Sequence, residues 1–193
     1  MKEKYKPIIR GKNCSLIKFK ENDERLVDLF HSIFNEKEIA VYLNPDYLNF
    51  RTKPKIRKWL NDKQHNAVEV WYFIKYKSRY AGYVCFKWRE HYDEACEIST
   101  SIEKNYRGMK IGYESSKLLI DYVVSLNKFK YIVAYVFKTN KKAENNLRKI
   151  GFKKADRLNR IVTDQFYDLS EEDNEDDNYT LMAIIPKKPR AEK

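Results

Sequence analysis

The sequence predicts a domain of the α+β class, and the order of its candidate strands and helices is the first reason. Their patterns follow in the order strand, two or three helices, three antiparallel strands, helix, strand, helix and two strands. A meander combined with helical crossovers is typical of α+β proteins and not of a doubly wound parallel sheet. The second reason is residues 131–137, a near-continuous apolar run expected of a central strand that is buried on both faces.

Length and composition indicate one globular domain over residues 1–193. The chain has 193 residues, of which 42% are hydrophobic and 35% are charged, as expected for a protein with a core and a charged surface. No apolar run is long enough to span a bilayer, and the basic N-terminus has no apolar segment behind it, so we expect no membrane partner and no secretory signal. Cys14, Cys85 and Cys96 are scattered, which predicts a reduced, cytoplasmic compartment and no disulfide.

The chain begins with a predicted strand and an amphipathic helix. Cys14–Phe19 alternates apolar and polar residues, and Asn22 or Asp23 can cap the helix that follows. Helical spacing places five apolar side chains on one stripe of that helix: Leu26, Leu29, Phe30, Ile33 and Phe34.

Two further helices are predicted before the first hairpin. Residues 38–43 form a short helix, and Asn44–Asp46 form a turn. Thr52 caps the next helix, with Pro54 in its first turn. Its buried face carries Ile56, Trp59 and Leu60.

The middle of the chain predicts three consecutive antiparallel strands. Residues 68–76 are rich in β-branched and aromatic side chains, and residues 80–88 pair back after a turn at residues 77–79. A second turn at His91–Asp93 leads to the strand 95–102, the fourth strand in sequence order.

The C-terminal part predicts helices at residues 113–126 and 140–150, separated by the strand 131–137. The first helix turns five side chains inward: Leu118, Leu119, Tyr122, Val123 and Leu126. Gly151 ends the second helix as a C′ residue, Phe152 leads back into the sheet, and residues 179–185 form the last strand.

Charge is distributed unevenly in a chain whose formal net charge is +11. A basic protein attracts polyanions such as nucleic acid or phosphorylated cofactors, whereas a lysine-rich solvated surface explains the same composition equally well. Residues 170–177 form an acidic run that fits either a solvated hairpin tip or a clamp for a cationic acceptor. Residues 186–193 form a basic tail.

A glycine-containing turn between residues 107 and 112 is the clearest candidate site. Gly108 and Gly112 are two of only five glycines, and the turn lies between a predicted strand and a predicted helix. Glycine lets the backbone approach a ligand, and the free N–H groups and positive dipole end of a helix favour a phosphate. Arg107 and Lys110 add positive charge, so the turn predicts a phosphate or pyrophosphate site, although an ordinary strand-to-helix turn has a similar pattern.

This turn resembles the coenzyme-binding motif of the GNAT superfamily of N-acetyltransferases, whose pattern is Gln/Arg-x-x-Gly-x-Gly/Ala. Here the pattern is Arg107-x-x-Lys110-x-Gly112, so lysine replaces the central glycine. Residues 140–152 resemble the Asn-x-x-Ala/Ser and Leu-Gly-Phe segment of the same family. The resemblance covers about residues 12–185, the expected core, and is closest to the branch of ribosomal-protein N-terminal acetyltransferases.

The resemblance implies a GNAT-like, mostly antiparallel sheet of about seven strands, with helices on both faces and splayed fourth and fifth strands. It also implies acetyl-CoA as co-substrate. The backbone N–H groups of the turn would hold the pyrophosphate and those of the fourth strand the pantetheine arm. The implied cofactor-binding residues are Thr100, Ser101, Ile102, Arg107, Gly108, Met109, Lys110, Ile111, Gly112 and Asn140. The place of Asn140 at the start of a helix also fits an N-cap.

Glu97 is the candidate general base, because the resembling branch has a glutamate at the matching place in its fourth strand. A partly buried carboxylate has a raised pKa, which suits a base near neutral pH, although a glutamate at the rim of a strand fits the sequence too. Many relatives use a tyrosine as general acid where this chain has Leu147, and the branch has serine where this chain has Ala143. The acid is therefore left open, with Tyr135 and Ser101 as weaker candidates.

Acetyl transfer from acetyl-CoA to a primary amine is the function that these patterns favour. The acceptor is a protein N-terminus, an amino sugar or another small amine, and a ribosome-bound protein and a homodimer are left open as partners. No metal is expected, because His31, His65 and His91 lack ligand spacing. The alternative is a non-catalytic GNAT-like module that binds coenzyme A or a polyanion such as RNA or the ribosome.

Overall fold

The computed structural model describes residues 5–19, 23–42, 49–64, 67–89, 92–155 and 178–186. The turn predicted at Asn44–Asp46, the acidic run at residues 170–177 and most of the basic tail lie outside these residues. Within the described part of the chain, no helix has the length and apolar character needed to cross a membrane.

The fold is mixed α+β, with one sheet of eight strands in the order β1-β2-β3-β4-β5-β6-β8-β7. All the pairs whose register is recorded are antiparallel except β5 with β6, which is parallel. The strands are β1 (Ile8–Arg10), β2 (Cys14–Lys18), β3 (Glu69–Tyr76), β4 (Arg79–Arg89), β5 (Tyr92–Ile102), β6 (Tyr131–Phe137), β7 (Lys153–Lys154) and β8 (Tyr179–Ile184).

Five α-helices and a short 3-10 helix connect the strands in the described residues. The α-helices are α1 (Glu24–Phe34), α2 (Lys37–Ala40), α3 (Lys53–Gln64), α4 (Ile111–Ser125) and α5 (Lys141–Ile150). Asp23 caps α1 by accepting a hydrogen bond from the Arg25 N–H, as the sequence predicts. Gly151 ends α5 in the left-handed conformation, with φ 116°, which also confirms the prediction.

The chain divides into two compact units, and the first comprises Met1–Phe86 and Ser99–Leu119. Its core is the apolar stripe of α1 packed with α3 and with the inner faces of β3 and β4. Phe30 stacks on Tyr83 with ring centroids 5.0 Å apart, and Trp59 meets Phe30 edge-on at the same distance. All five predicted α1 stripe residues are buried, so the 3.6-residue period positions this helix correctly.

The second unit comprises Lys87–Ile98 and Ile120–Lys193. A core cluster here joins three strands through Ala95 of β5, Val133 of β6, and Leu181 and Ala183 of β8. Strand β6 has the predicted bounds and is largely buried, as its apolar run requires.

The structure refines one sequence prediction and corrects three. The predicted sheet of about seven strands has eight, because the three-residue β1 is too short to show an alternating pattern. Helix α2 spans Lys37–Ala40, not residues 38–43. Strand β5 already begins at Tyr92, so the turn predicted at residues 91–93 is wrong for Tyr92 and Asp93. Of the side chains predicted to turn inward on a helix at residues 113–126, Leu118 on α4 and Leu126, just past its end, are only half-buried.

Candidate active site

The turn at residues 107–112 has the backbone shape of an anion site. A 3-10 helix at Lys104–Tyr106 leads into it, and helix α4 begins directly after it. Gly108 has φ 79° and Lys110 has φ 62°, so both adopt left-handed conformations. The Lys110 carbonyl accepts the first helical hydrogen bond, from the Glu114 N–H at 3.0 Å.

The backbone N–H groups of this turn point to no acceptor in the described residues. Those of Gly108 to Lys110 lie before the helix, and those of Ile111 to Tyr113 belong to its first turn, where an α-helix has no internal partners for its N–H groups. Gly108 is exposed, and a Cβ there would meet nothing within 4 Å. Together with the positive end of the helix dipole, these groups fit a phosphate or pyrophosphate.

Arg107 braces the turn with its guanidinium group. Its Nη1 atom donates to Glu36 Oε1 at 2.6 Å and its Nη2 atom donates to Glu36 Oε2 at 2.5 Å. Its Nε atom donates to the carbonyl of Ile102 at 3.0 Å. Glu36 is the residue before α2, so this bidentate pair joins the α1–α2 junction to the turn. Three guanidinium bonds to protein groups indicate that Arg107 positions the turn.

Lys110 has an exposed side chain that makes no ion pair within the residues described. A lysine with positive φ costs about 1 kcal/mol relative to glycine, because its Cβ approaches the following carbonyl. The turn therefore keeps the conformation that favours glycine and carries an ammonium group as well. The side chain is available to a phosphate at the same end of the helix.

The end of strand β5 is packed tightly against its neighbours in the first unit. The Oγ1 atom of Thr100 lies 2.8 Å from Ser116 Oγ on α4. A Cβ on Gly82 would lie only 2.1 Å from the carbonyl oxygen of Ser101, so β4 needs glycine here. These contacts fix the backbone of residues 100–102.

Helix α4 approaches the same strand end at Gly112. A Cβ there would lie 3.2 Å from Ile102 Cγ1. This contact and the bond from Arg107 to the Ile102 carbonyl bring the turn and the end of β5 together. The structure thus unites two of the sequence-predicted groups, residues 100–102 and residues 107–112.

Glu97 is a buried carboxylate on β5, three residues before Thr100. Glu97 is 6% exposed, which is unusual for a glutamate. This burial excludes the alternative that Glu97 is a solvated residue at the rim of the strand. Lys87 on β4 places its Nζ atom 3.0 Å from Glu97 Oε2, and its own side chain is 32% exposed. A buried carboxylate with a cation beside it can stay ionised, as a proton acceptor must.

The recorded pairing of β5 with β6 covers three residues of each strand, Ala95–Glu97 with Tyr131–Val133. Strand β5 runs on to Ile102 and β6 to Phe137, so the two strands splay after Glu97. The backbone of residues 100–102 is therefore left without pairs to β6. A strand edge of this kind can accept an extended ligand as an added strand.

Asn140 lies in the second unit as the N-cap of α5. Its Oδ1 atom accepts a hydrogen bond from the Ala143 N–H at 3.1 Å, which confirms the capping alternative. Leu147 is half-buried on the same helix and cannot donate a proton. Tyr135, the other weak candidate for an acid, has a buried hydroxyl on β6.

Three residues of this region were missed by the sequence predictions: Glu36, Gly82 and Lys87. Gly82 gave a signal, because a glycine inside an aromatic-rich strand often marks a close backbone approach. The other two are partners of Arg107 and Glu97, from which they are separated by 71 and 10 positions. Without the register of β4 with β5 and the packing of α2, no local pattern identifies them.

A sequence model of the acetyltransferase (GNAT) domain matches residues 15–153, more than half of the chain. The protein therefore belongs to the GNAT acetyltransferase family, as the two sequence motifs predict. It is therefore an N-acetyltransferase, and acetyl-CoA is the acetyl donor of this family. No curated protein sequence matches the chain.

Solved structures of several acetyltransferases share the fold. The ribosomal L7/L12 alpha-N-protein acetyltransferase RimL with coenzyme A has a TM-score of 0.68 and 16% identity, covering 92% of this chain and 97% of that one. The spermidine N-acetyltransferase of Vibrio cholerae with CoA and spermine has a TM-score of 0.68 and 15% identity, covering 91% and 97%. The microcin C7 self-immunity acetyltransferase MccE with acetyl-CoA and AMP has a TM-score of 0.64 and 18% identity, covering 91% and 93%.

Proposed function

We propose that the protein acetylates a primary amine by direct transfer from acetyl-CoA, with Glu97 as the general base. The observation that carries this proposal is the buried Glu97 carboxylate with Lys87 at 3.0 Å, on the strand that leads to residues 100–102. An amine must lose a proton in order to attack, and a carboxylate held ionised can take it directly or through one water.

The coenzyme is held at the turn. Backbone N–H groups of Gly108, Met109, Lys110, Ile111 and Gly112 bind the pyrophosphate, and the Lys110 ammonium adds charge. Arg107 keeps the turn in place through Glu36. The backbone of Thr100, Ser101 and Ile102 binds the pantetheine arm, and an N–H group there polarises the thioester carbonyl. Asn140 contacts the arm from the start of α5.

Acetyl-CoA supplies the acetyl group as a thioester. The residues of the chain then have three tasks: to orient that thioester, to polarise its carbonyl and to accept a proton at Glu97. As the carbon–nitrogen bond forms and the carbon–sulfur bond breaks, one proton passes from the amine nitrogen to the carboxylate. The thiolate leaves without a donor at position 147, since Leu147 has no proton to give, and takes its proton from solvent.

The acceptor is a protein N-terminus, a polyamine, an amino sugar or another small primary amine. The first two are what the structural neighbours act on according to their names: the ribosomal protein L7/L12 and spermidine. If the acceptor is a protein N-terminus, a ribosomal protein or the ribosome is one candidate partner, as the name of the RimL neighbour suggests.

The test is an acceptor screen with mass spectrometry of the products and with thiol release as the rate. With the best acceptor, Glu97→Gln should lower kcat by about 10²–10³ and leave the Kd for acetyl-CoA unchanged. Glu24→Gln, which removes an exposed carboxylate on α1, is the matched control and should leave both unchanged. An unchanged rate in Glu97→Gln would show that Glu97 is not the base. Binding of acetyl-CoA without acetylation of any acceptor would favour the non-catalytic alternative.

A further inference from the structure

Positive charge is concentrated in one segment of the second unit. Between residues 128 and 154 the chain has nine Lys or Arg residues and one acidic residue, Glu144. The formal net charge of the whole chain is +11, so these 27 positions carry most of it. A lysine-rich composition spread evenly over the surface would not produce this concentration.

Helix α5 presents much of this charge, and none of its residues is buried. Residues 143, 144, 147 and 150 form its half-buried side. The opposite face is exposed and is formed by residues with the helical spacing i, i+3, i+4 and i+7, namely 142, 145, 146 and 149. We call this face, formed by Lys142, Asn145, Asn146 and Lys149, the α5 outer face.

The lysines of the α5 outer face are not neutralised by the described residues around them. Glu144 is the acidic residue of the helix, and it pairs with Lys141 at 3.2 Å and with Arg148 at 2.8 Å, on the neighbouring face. Lys142 and Lys149 are exposed and make no ion pair with any described residue. Lys153 and Lys154, just past the helix, are exposed as well.

The residue types of the α5 outer face indicate which kind of polyanion it can bind: a membrane surface, an acidic protein or a nucleic acid. A helix that binds a membrane surface needs an apolar face, and the energy of a protein interface comes mostly from Trp, Tyr or Arg anchors, none of which lies on the α5 outer face. The large apolar side chains that are exposed in the described residues lie elsewhere: Ile8, Val41, Tyr42, Met109 and Ile185. A phosphate backbone, in contrast, is bound by ammonium groups and amides alone.

We infer that the α5 outer face is a binding surface for the phosphate backbone of double-stranded RNA. Lys142 and Lys149 lie two turns apart on the helix, about 10 Å along its axis, and contact phosphates. The amides of Asn145 and Asn146 lie between them and can bond sugar 2′-hydroxyls, which distinguish RNA from DNA. None of the four residues of the α5 outer face is among those proposed for coenzyme binding or catalysis, but Asn140, the N-cap of the same helix, lies two residues before Lys142.

The test is fluorescence anisotropy of a labelled RNA hairpin at several salt concentrations, with the full-length protein and the variant Lys142→Glu/Lys149→Glu. The matched control is Lys55→Glu/Lys58→Glu, which changes the net charge equally on the exposed face of α3. We expect the α5 variant to raise the Kd for RNA at least tenfold, and to reduce the slope of log Kd against log salt by about two, one for each lost phosphate contact. The α3 variant should have a much smaller effect.

Three further outcomes of this experiment would contradict the proposed RNA-binding role of the α5 outer face. Equal losses in both double variants would show that only net charge matters and would overturn the proposal. A DNA hairpin of the same sequence that binds as tightly as the RNA would overturn the assignment to RNA. Displacement of the RNA by saturating acetyl-CoA would assign the lysines to the coenzyme instead. Retained far-UV circular dichroism and an unchanged Kd for acetyl-CoA establish that the α5 variant is folded.

Discussion

Lys110 shows how one residue can combine two properties that are usually separate. The turn demands a left-handed backbone at this position, and the lysine adopts it with φ 62°. A glycine would adopt it without strain but would bring no charge. The sequence identified the position as the main departure from the family motif, and the structure shows that the departure leaves the turn intact.

Two substitutions separate the conformation of Lys110 from its charge. Lys110→Gly and Lys110→Ala both remove the ammonium group, but only glycine relieves the positive φ. We expect the glycine variant to have a free energy of unfolding about 1 kcal/mol higher than the alanine variant. Urea denaturation of the two proteins measures this difference. Equal stabilities would mean that the left-handed conformation at position 110 costs nothing in this turn.

Lys87 matters through the charge that it places beside Glu97. Without the ammonium group at 3.0 Å, the buried carboxylate takes up a proton more readily. We expect Lys87→Met to lower kcat about tenfold at neutral pH, and we expect the loss to become smaller as the pH rises, because alkaline pH favours the ionised carboxylate. Lys87→Arg should keep most of the activity. A loss in Lys87→Met that is the same at every pH would point to a purely structural role.

At the scale of elements, α4 connects the candidate site to the first hairpin. Glu114 in its first turn accepts hydrogen bonds from the backbone N–H groups of Asn13, at 2.7 Å, and Cys14, at 3.2 Å. It also accepts one from the Asn13 amide at 2.7 Å. Burial first, and then the adjacent carboxylate, raise the pKa of the Cys14 thiol to about 12, so this cysteine stays protonated. The start of α4 is thereby fixed to the loop between β1 and β2.

The ionisation of Glu114 predicts a pH-dependent contribution to stability. Burial alone would raise its pKa, but the bonds from Asn13 and Cys14 outweigh burial and hold the pKa below its ordinary value of 4.5. The carboxylate therefore stabilises the fold above that value, and its contribution is lost as the pH falls through the lower, folded-state pKa. At pH 7, Glu114→Gln should lower the free energy of unfolding by about 2 kcal/mol.

Urea denaturation at pH 7 and at pH 4 checks this prediction. The difference between wild type and Glu114→Gln should shrink at the lower pH, because pH 4 lies below the ordinary pKa of 4.5, so the unfolded wild-type chain binds a proton that the folded carboxylate does not need to bind. A difference of the same size at both pH values would exclude an ionic contribution from Glu114.

Helices and strands with a strong hydrophobic periodicity were predictable from the sequence, whereas short or polar elements were not. The stripe of α1 and the apolar run of β6 follow from residue spacing alone, and Gly151 marks the end of α5. Strand β1 has three residues, too few for a pattern. The start of β5 contains Asp93 and Glu94, which disfavour strands locally, so only its place in the sheet makes Tyr92–Glu94 extended.

At the scale of the whole molecule, the sequence predicted which segments form the candidate site but not how they are held. The turn at residues 107–112 and the strand end at residues 100–102 were predicted from motifs, and the structure brings them together through Gly112 and Arg107. The ion pairs of Arg107 with Glu36 and of Glu97 with Lys87 depend on tertiary packing, which local patterns do not encode. The α5 outer face adds a second functional surface, in a unit that also carries Glu97.

Calorimetric titration with acetyl-CoA at moderate salt tests the central claim, that the turn at residues 107–112 holds the coenzyme. The wild-type protein should bind one equivalent saturably. Lys110→Glu, which puts a negative charge beside the pyrophosphate, should raise the Kd at least tenfold, as expected for a phosphate contact worth about 1.4 kcal/mol or more. Lys58→Glu, an equal change of charge on α3, should leave the Kd unchanged. An absence of saturable binding, or an equal effect of the two variants, would contradict the assignment of this turn.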